Sequence, residues 1–156
     1  MRHSINFKVN GESCSLEVEP QETLLEVLRE RLGITSPKYG CGKGECGVCT
    51  VLLNGEPVNS CLVLAVEVDG QELTTVEGLV RDGRWHPLQE AFTERGAIQC
   101  GFCTPAMLLS LAALLERNQR PTEGEIRTAI AGNLCRCTGY VAIVEAVLSL
   151  NNRLSG

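Results

Sequence analysis

Eight of the nine cysteines in this chain fall into two groups of four, and any fold has to bring each group together. The first group is Cys41, Cys46, Cys49 and Cys61, spaced C-x4-C-x2-C-x11-C. The second is Cys100, Cys103, Cys135 and Cys137, spaced C-x2-C-x31-C-x-C. The groups do not interleave along the chain. Two small units, each built around its own thiols, satisfy both.

The first spacing is the plant-type pattern for a [2Fe–2S] cluster. Two complete four-thiolate sets predict two such clusters and an electron wire. A disulfide framework fits poorly: the cysteine count is odd, and the opening MRHSINFKVN has no apolar core of a signal peptide. Zinc is the stronger rival, since four thiolates also close a tetrahedral site. Only Cys46–Cys49 and Cys100–Cys103 form C-x2-C knuckles, and they lie far beyond the ribbon spacing of roughly 15–20 residues. A thioredoxin-like dithiol at Cys100–Cys103 leaves Cys135 and Cys137 unexplained.

Composition narrows the partners. A formal charge of −5 argues against nucleic acid, which needs a basic face. No apolar run reaches the roughly 18 residues of a membrane span. Free thiols without a targeting signal predict a reducing compartment, the cytoplasm.

The first half reads as strands and one helix. Ser4–Val9 and Cys14–Val18 flank Asn10-Gly11, a hairpin signal. Thr23 caps an expected helix over Leu24–Leu32, ended by Gly33. Thr50–Leu53 and Pro57–Cys61 form a second hairpin around Asn54-Gly55, and Gln71–Thr75 a closing strand. The later signals are helical: Pro87–Arg95, a helix from Thr104-Pro105 to Glu116, Glu123–Ala131 behind the capping box Thr122/Glu125, and Val141–Leu150. The expectation is a small mixed domain over 1–79, a linker over 80–86 and a four-helix domain over 87–156.

Each loop carries its own chemistry. In YGCGKGECGVC, glycines permit tight wrapping and bring N–H groups to sulfur. Its G-x-G-x-x-G match contains Cys46 and runs into a strand, which rules out a dinucleotide fingerprint. Lys43 and Glu45 read as a solvated charge pair. At the second site, Cys103-Thr104 and Cys137-Thr138 each precede a helix, so two helix N-termini are expected to converge on the thiolates. Arg136 is expected either to offset cluster charge or to face a carboxylate. Cys14 reads as a small buried hydrophobe. His3 and His86 read as surface residues, and Trp85 as an anchor against the other domain or a partner. Met107, Leu108, Leu111, Leu114 and Leu115 read as helix core.

The blocks GCGKGECGVCTVLLNG, QCGFCTPAM and AGNLCRCTGY resemble the iron–sulfur subunit of the molybdenum hydroxylases, the xanthine dehydrogenase family. The resemblance runs from Ile5 to about Leu150. It implies an α+β chain: a β-grasp, plant-type ferredoxin-like domain, then a four-helix [2Fe–2S] domain. It implies electron transfer from a molybdopterin centre in a large subunit, through the cluster of Cys100, Cys103, Cys135 and Cys137. Electrons then pass to the cluster of Cys41, Cys46, Cys49 and Cys61, and on to FAD in a medium subunit. Gln99 and Cys137 are implied to lie against the pterin. The assembly implied is a heterotrimer, alone or dimerised. The chain has no catalytic residues of its own, and the holoenzyme substrate expected on family frequency is a purine such as xanthine. Aldehydes, other N-heterocycles, carbon monoxide and an aromatic acyl-CoA stay open. A free-standing ferredoxin-like carrier and a zinc-stapled binding module are the alternatives from other classes.

Overall fold

The two Asn-Gly pairs turn the chain where a left-handed backbone is needed: Asn10 and Gly11 have φ of 52° and 84°, Asn54 and Gly55 of 50° and 83°. In the computed structural model, which describes residues 1–153, they close β1 (His3–Val9) onto β2 (Glu12–Val18) and β3 (Thr50–Leu53) onto β4 (Glu56–Asn59). The closing strand β5 (Glu72–Thr74) runs parallel to β1 and antiparallel to β3. The sheet order is β2-β1-β5-β3-β4. β1 alternates as the two-residue period requires, with Ile5, Phe7 and Val9 buried against Leu24, Val27, Leu28 and Leu73.

The helix after Thr23 departs from expectation. The capping box forms, with Thr23 Oγ1 accepting from Glu26 N–H at 3.2 Å and the Glu26 carboxylate accepting from Thr23 N–H at 2.8 Å. However, α1 (Leu24–Glu26) passes at once into a π-turn over Val27–Arg31, closed by Leu32 N–H on Val27 O. Leu24, Leu25, Val27 and Leu28 are all buried. Leu24, Val27 and Leu28 pack on the sheet core, while Leu25 packs with Cys49 and Cys61.

The second half is helical: α2 (Pro87–Glu94), α3 (Thr104–Arg117), α4 (Glu123–Ala129) and α5 (Val141–Arg153). The expected 87–156 range runs into residues 154–156, which lie outside the described residues. Met107, Leu108 and Leu111 are buried, while Leu114 and Leu115 are partly buried against the same core. That core also takes in Leu52 of β3 and Leu79, so α3 packs directly on the sheet domain. His86 is not a plain surface residue: its ring Nδ1 caps α2 by accepting from Leu88 N–H at 3.2 Å. Between the halves, Arg81–Arg84 close a small turn, and Trp85 stays 57% exposed on the rim of a cleft with Leu79 and Ala112.

Two candidate metal centres

The first centre is a loop folded back on itself, 39–49, closed by Cys61 just beyond β4. Amide N–H groups of Lys43, Glu45 and Cys46 point at Cys41 Sγ at 3.4, 3.2 and 3.4 Å, and that of Cys41 at Cys46 Sγ at 3.4 Å. Such a nest of donors suits a thiolate, and the Cys41 pKa falls to about 6, chiefly through the Cys46 and Lys43 amides. Gly40 is required by contact: a Cβ there would stand 2.7 Å from Cys46 Sγ and 2.8 Å from Val48 Cγ2. Cys49 and Cys61 are buried, and burial followed by the neighbouring Cys49 thiol pushes Cys61 up to about 11.

The second centre gathers the start of α3 with the 133–140 segment. Cys103 is buried against Cys135, and burial followed by the Cys135 thiol pushes its pKa to about 12. Burial opposes ionisation of Cys135 too, but hydrogen bonding from the Thr138 side chain and backbone outweighs it and the pKa falls. Cys100 and Cys137 are exposed and interact with each other, which raises Cys137. Both helices begin where expected, but only α3 starts directly at a cysteine, with Cys103 as its N-cap. α5 starts at Val141, four positions after Cys137, and Thr138, Gly139 and Tyr140 form the intervening turn, with Gly139 and Tyr140 at φ of 60° and 67°.

In both centres the thiols interact as two pairs: Cys41 with Cys46 and Cys49 with Cys61, then Cys100 with Cys137 and Cys103 with Cys135. The Cys41 thiolate charge also raises Cys61, and that of Cys100 raises Cys103, so the two pairs of each centre lie close together as a quartet. Two pairs of thiols suit a two-iron centre, with two sulfurs for each iron, and the amide nest supplies the donors that such an anionic group needs. The residues therefore fit [2Fe–2S] clusters.

The two loops touch. Leu134 N–H donates to Cys46 O at 2.9 Å, and the buried Asn133 amide donates to Gly47 O at 3.0 Å and Thr50 Oγ1 at 3.1 Å. Asn133 escaped sequence reasoning, although its position beside Cys135 in AGNLCRC was the available signal. Cys14 is half-buried in β2, apart from both quartets, and burial raises its pKa. Lys43 and Glu45 form an exposed pair at 3.3 Å, as expected. Arg136 is exposed and meets no carboxylate among the described residues.

Known proteins carry the same pattern. Residues 7–80 match the model of a 2Fe-2S iron-sulfur cluster binding domain and residues 75–148 that of a [2Fe-2S] binding domain. The chain is 51% identical over 144 residues to the nicotinate dehydrogenase small FeS subunit of Eubacterium barkeri, covering 92% of each. It is 46% identical to the xanthine dehydrogenase iron-sulfur-binding subunit of Escherichia coli O157:H7, over 95% of this chain and 96% of that one. Among solved structures, a chain of quinoline 2-oxidoreductase from Pseudomonas putida 86 superposes with a TM-score of 0.93 at 40% identity, covering 99% of this chain and 96% of that one.

Proposed function

This chain belongs to the iron–sulfur small subunits of the molybdenum hydroxylases, the xanthine dehydrogenase family, and from that premise we propose a direction of electron flow through it. The subunit transfers electrons and is not catalytic alone. Cys100, Cys103, Cys135 and Cys137 hold the [2Fe–2S] cluster that faces a molybdopterin centre in a large partner subunit. Cys41, Cys46, Cys49 and Cys61 hold the one that faces FAD in a medium subunit. These clusters supply one-electron carriage; the chain supplies ligands, donors and the joined loops between them. The domains divide at 80–86, and the complex is a cytoplasmic heterotrimer, alone or dimerised. No described helix is long and apolar enough to cross a membrane.

The observation that carries this direction is the exposure of one thiol pair. Cys100 and Cys137 lie at the surface beside Gln99, which is exposed and has no partner among the described residues. Ile98, Phe102 and Val141 are exposed in the same two segments at 42%, 47% and 55%. An unpartnered amide among apolar side chains suits a face that another subunit covers. Gln99 and Cys137 then hydrogen-bond the pterin. The relatives' names extend the purine expectation to N-heteroaromatic rings: nicotinate, xanthine and quinoline share one. We take that class, xanthine among it, as the holoenzyme substrate.

Gln99→Ala in the intact complex tests the direction. Iron content and assembly stay unchanged, reduction of the clusters by substrate slows, and reduction by dithionite does not. Unchanged substrate-driven reduction returns Gln99 to a structural role. A native mass of the monomer alone favours a free-standing carrier.

A further inference from the structure

Thr138 follows a cluster cysteine, as Thr104 does, yet it opens no helix. Its hydroxyl lies 3.1 Å from Cys135 Sγ and also accepts from Tyr140 N–H at 3.1 Å. A sulfur bound to iron has no proton to give, so in that contact the hydroxyl donates. Its lone pair is already engaged by the Tyr140 amide, which polarises the O–H further toward sulfur. Tyr140 holds both ends of this arrangement. Its phenol oxygen accepts from Cys135 N–H at 2.9 Å, and its backbone is kept at φ 67°, a conformation a non-glycine residue adopts only under constraint. The segment from Cys135 to Tyr140 is thus a closed clamp, with the hydroxyl aimed at one sulfur.

We propose that Thr138 is a positioning residue for electron transfer: held by Tyr140, its hydroxyl hydrogen-bonds the Cys135 sulfur and raises the reduction potential of the second cluster. The inference rests on Cys135 being a ligand of that cluster. Reduction adds one electron, and the extra negative charge spreads onto the sulfurs. A donor to sulfur therefore favours the reduced form over the oxidised one. Loss of the hydroxyl makes the centre a weaker electron acceptor.

Thr138→Val keeps the shape and removes the donor, while Thr138→Ser keeps the donor. Both are compared with wild type in the intact complex by iron and sulfide analysis and by redox titration followed by electron paramagnetic resonance. The expected result is full iron in both variants. The second centre's midpoint in Thr138→Val moves negative by about tenfold in electron occupancy, about 59 mV for one electron. In Thr138→Ser it stays near wild type, and the first centre's midpoint is unchanged in both. An unmoved second midpoint in fully loaded Thr138→Val overturns the proposal. So does an equal shift in Thr138→Ser. Loss of the second centre from both Thr138→Val and Thr138→Ala also overturns it, since the side chain then serves to retain the cluster. Wild-type protein without two iron–sulfur signals sinks the underlying ligand assignment instead, a separate outcome.

Discussion

The amide of Leu134 donates to the carbonyl of Cys46 across 2.9 Å, and each residue is, or adjoins, a cysteine of a different quartet. A bonded route between the two sites runs through this hydrogen bond, from Cys46 into Leu134 and on to Cys135. Asn133 pins it from one side by its two bonds to Gly47 and Thr50. Gly47 permits the close approach on the other side, because a Cβ at its φ of 69° would fall on the carbonyl oxygen of Gly132.

Asn133→Ala removes a 4% exposed amide and its two donated bonds. The expected loss is about 1–3 kcal/mol by the usual cost of stripping buried polar partners. Gly47→Ala loses about 1–3 kcal/mol from backbone conformation alone, with the Gly132 collision added. Urea unfolding measures both, and electron exchange between the two centres slows in each variant.

Cys14→Ser leaves both centres loaded, because Cys14 stands in β2 outside either quartet. Cys49→Ser removes the first centre and spares the second. Iron analysis with electron paramagnetic resonance reads the outcome, and a centre lost on changing Cys14 contradicts the ligand sets.

Stability falls on mild acidification through His86. Burial holds its pKa below the ordinary 6.5; Glu116 opposes the shift and Arg81 adds to it. A depressed folded pKa means that the unfolded chain binds a proton first. The cap's contribution is thus full above about 6.5 and is lost as pH falls through the folded value. The protonated ring can no longer accept from Leu88 N–H. The melting temperature drops between pH 7.5 and pH 5.5 in wild type, and His86→Asn, which caps without titrating, shows a smaller drop.

The first centre has the more positive midpoint. Four amide N–H groups lie within 3.4 Å of the Cys41 and Cys46 sulfurs, whereas Cys135 takes the Thr138 hydroxyl at 3.1 Å, with lesser donation from the Thr138 and Cys137 amides. More donors favour the reduced form. The expected gap is about tenfold in electron occupancy, about 59 mV. A titration of the intact complex that orders the two centres the other way refutes it.

The sequence by itself determined the two thiol sets, the hairpins and most of the helices, because these depend on residues near each other in the chain. Asn-Gly pairs force their turns locally, and Thr122 with Glu125 caps α4 across a single turn. The π-turn over Val27–Arg31 was not legible, since the apolar pattern of Leu24 to Leu32 fits a regular helix equally well. Nor was the role of Thr138: Cys103-Thr104 and Cys137-Thr138 read alike, and only the turn closed by Tyr140 sends the second hydroxyl to sulfur. The bond from Leu134 to Cys46 joins residues that no periodicity or spacing relates. Only tertiary packing, with α3 set against β3 and Asn133 bonded to Gly47 and Thr50, decided that these two amino acids meet.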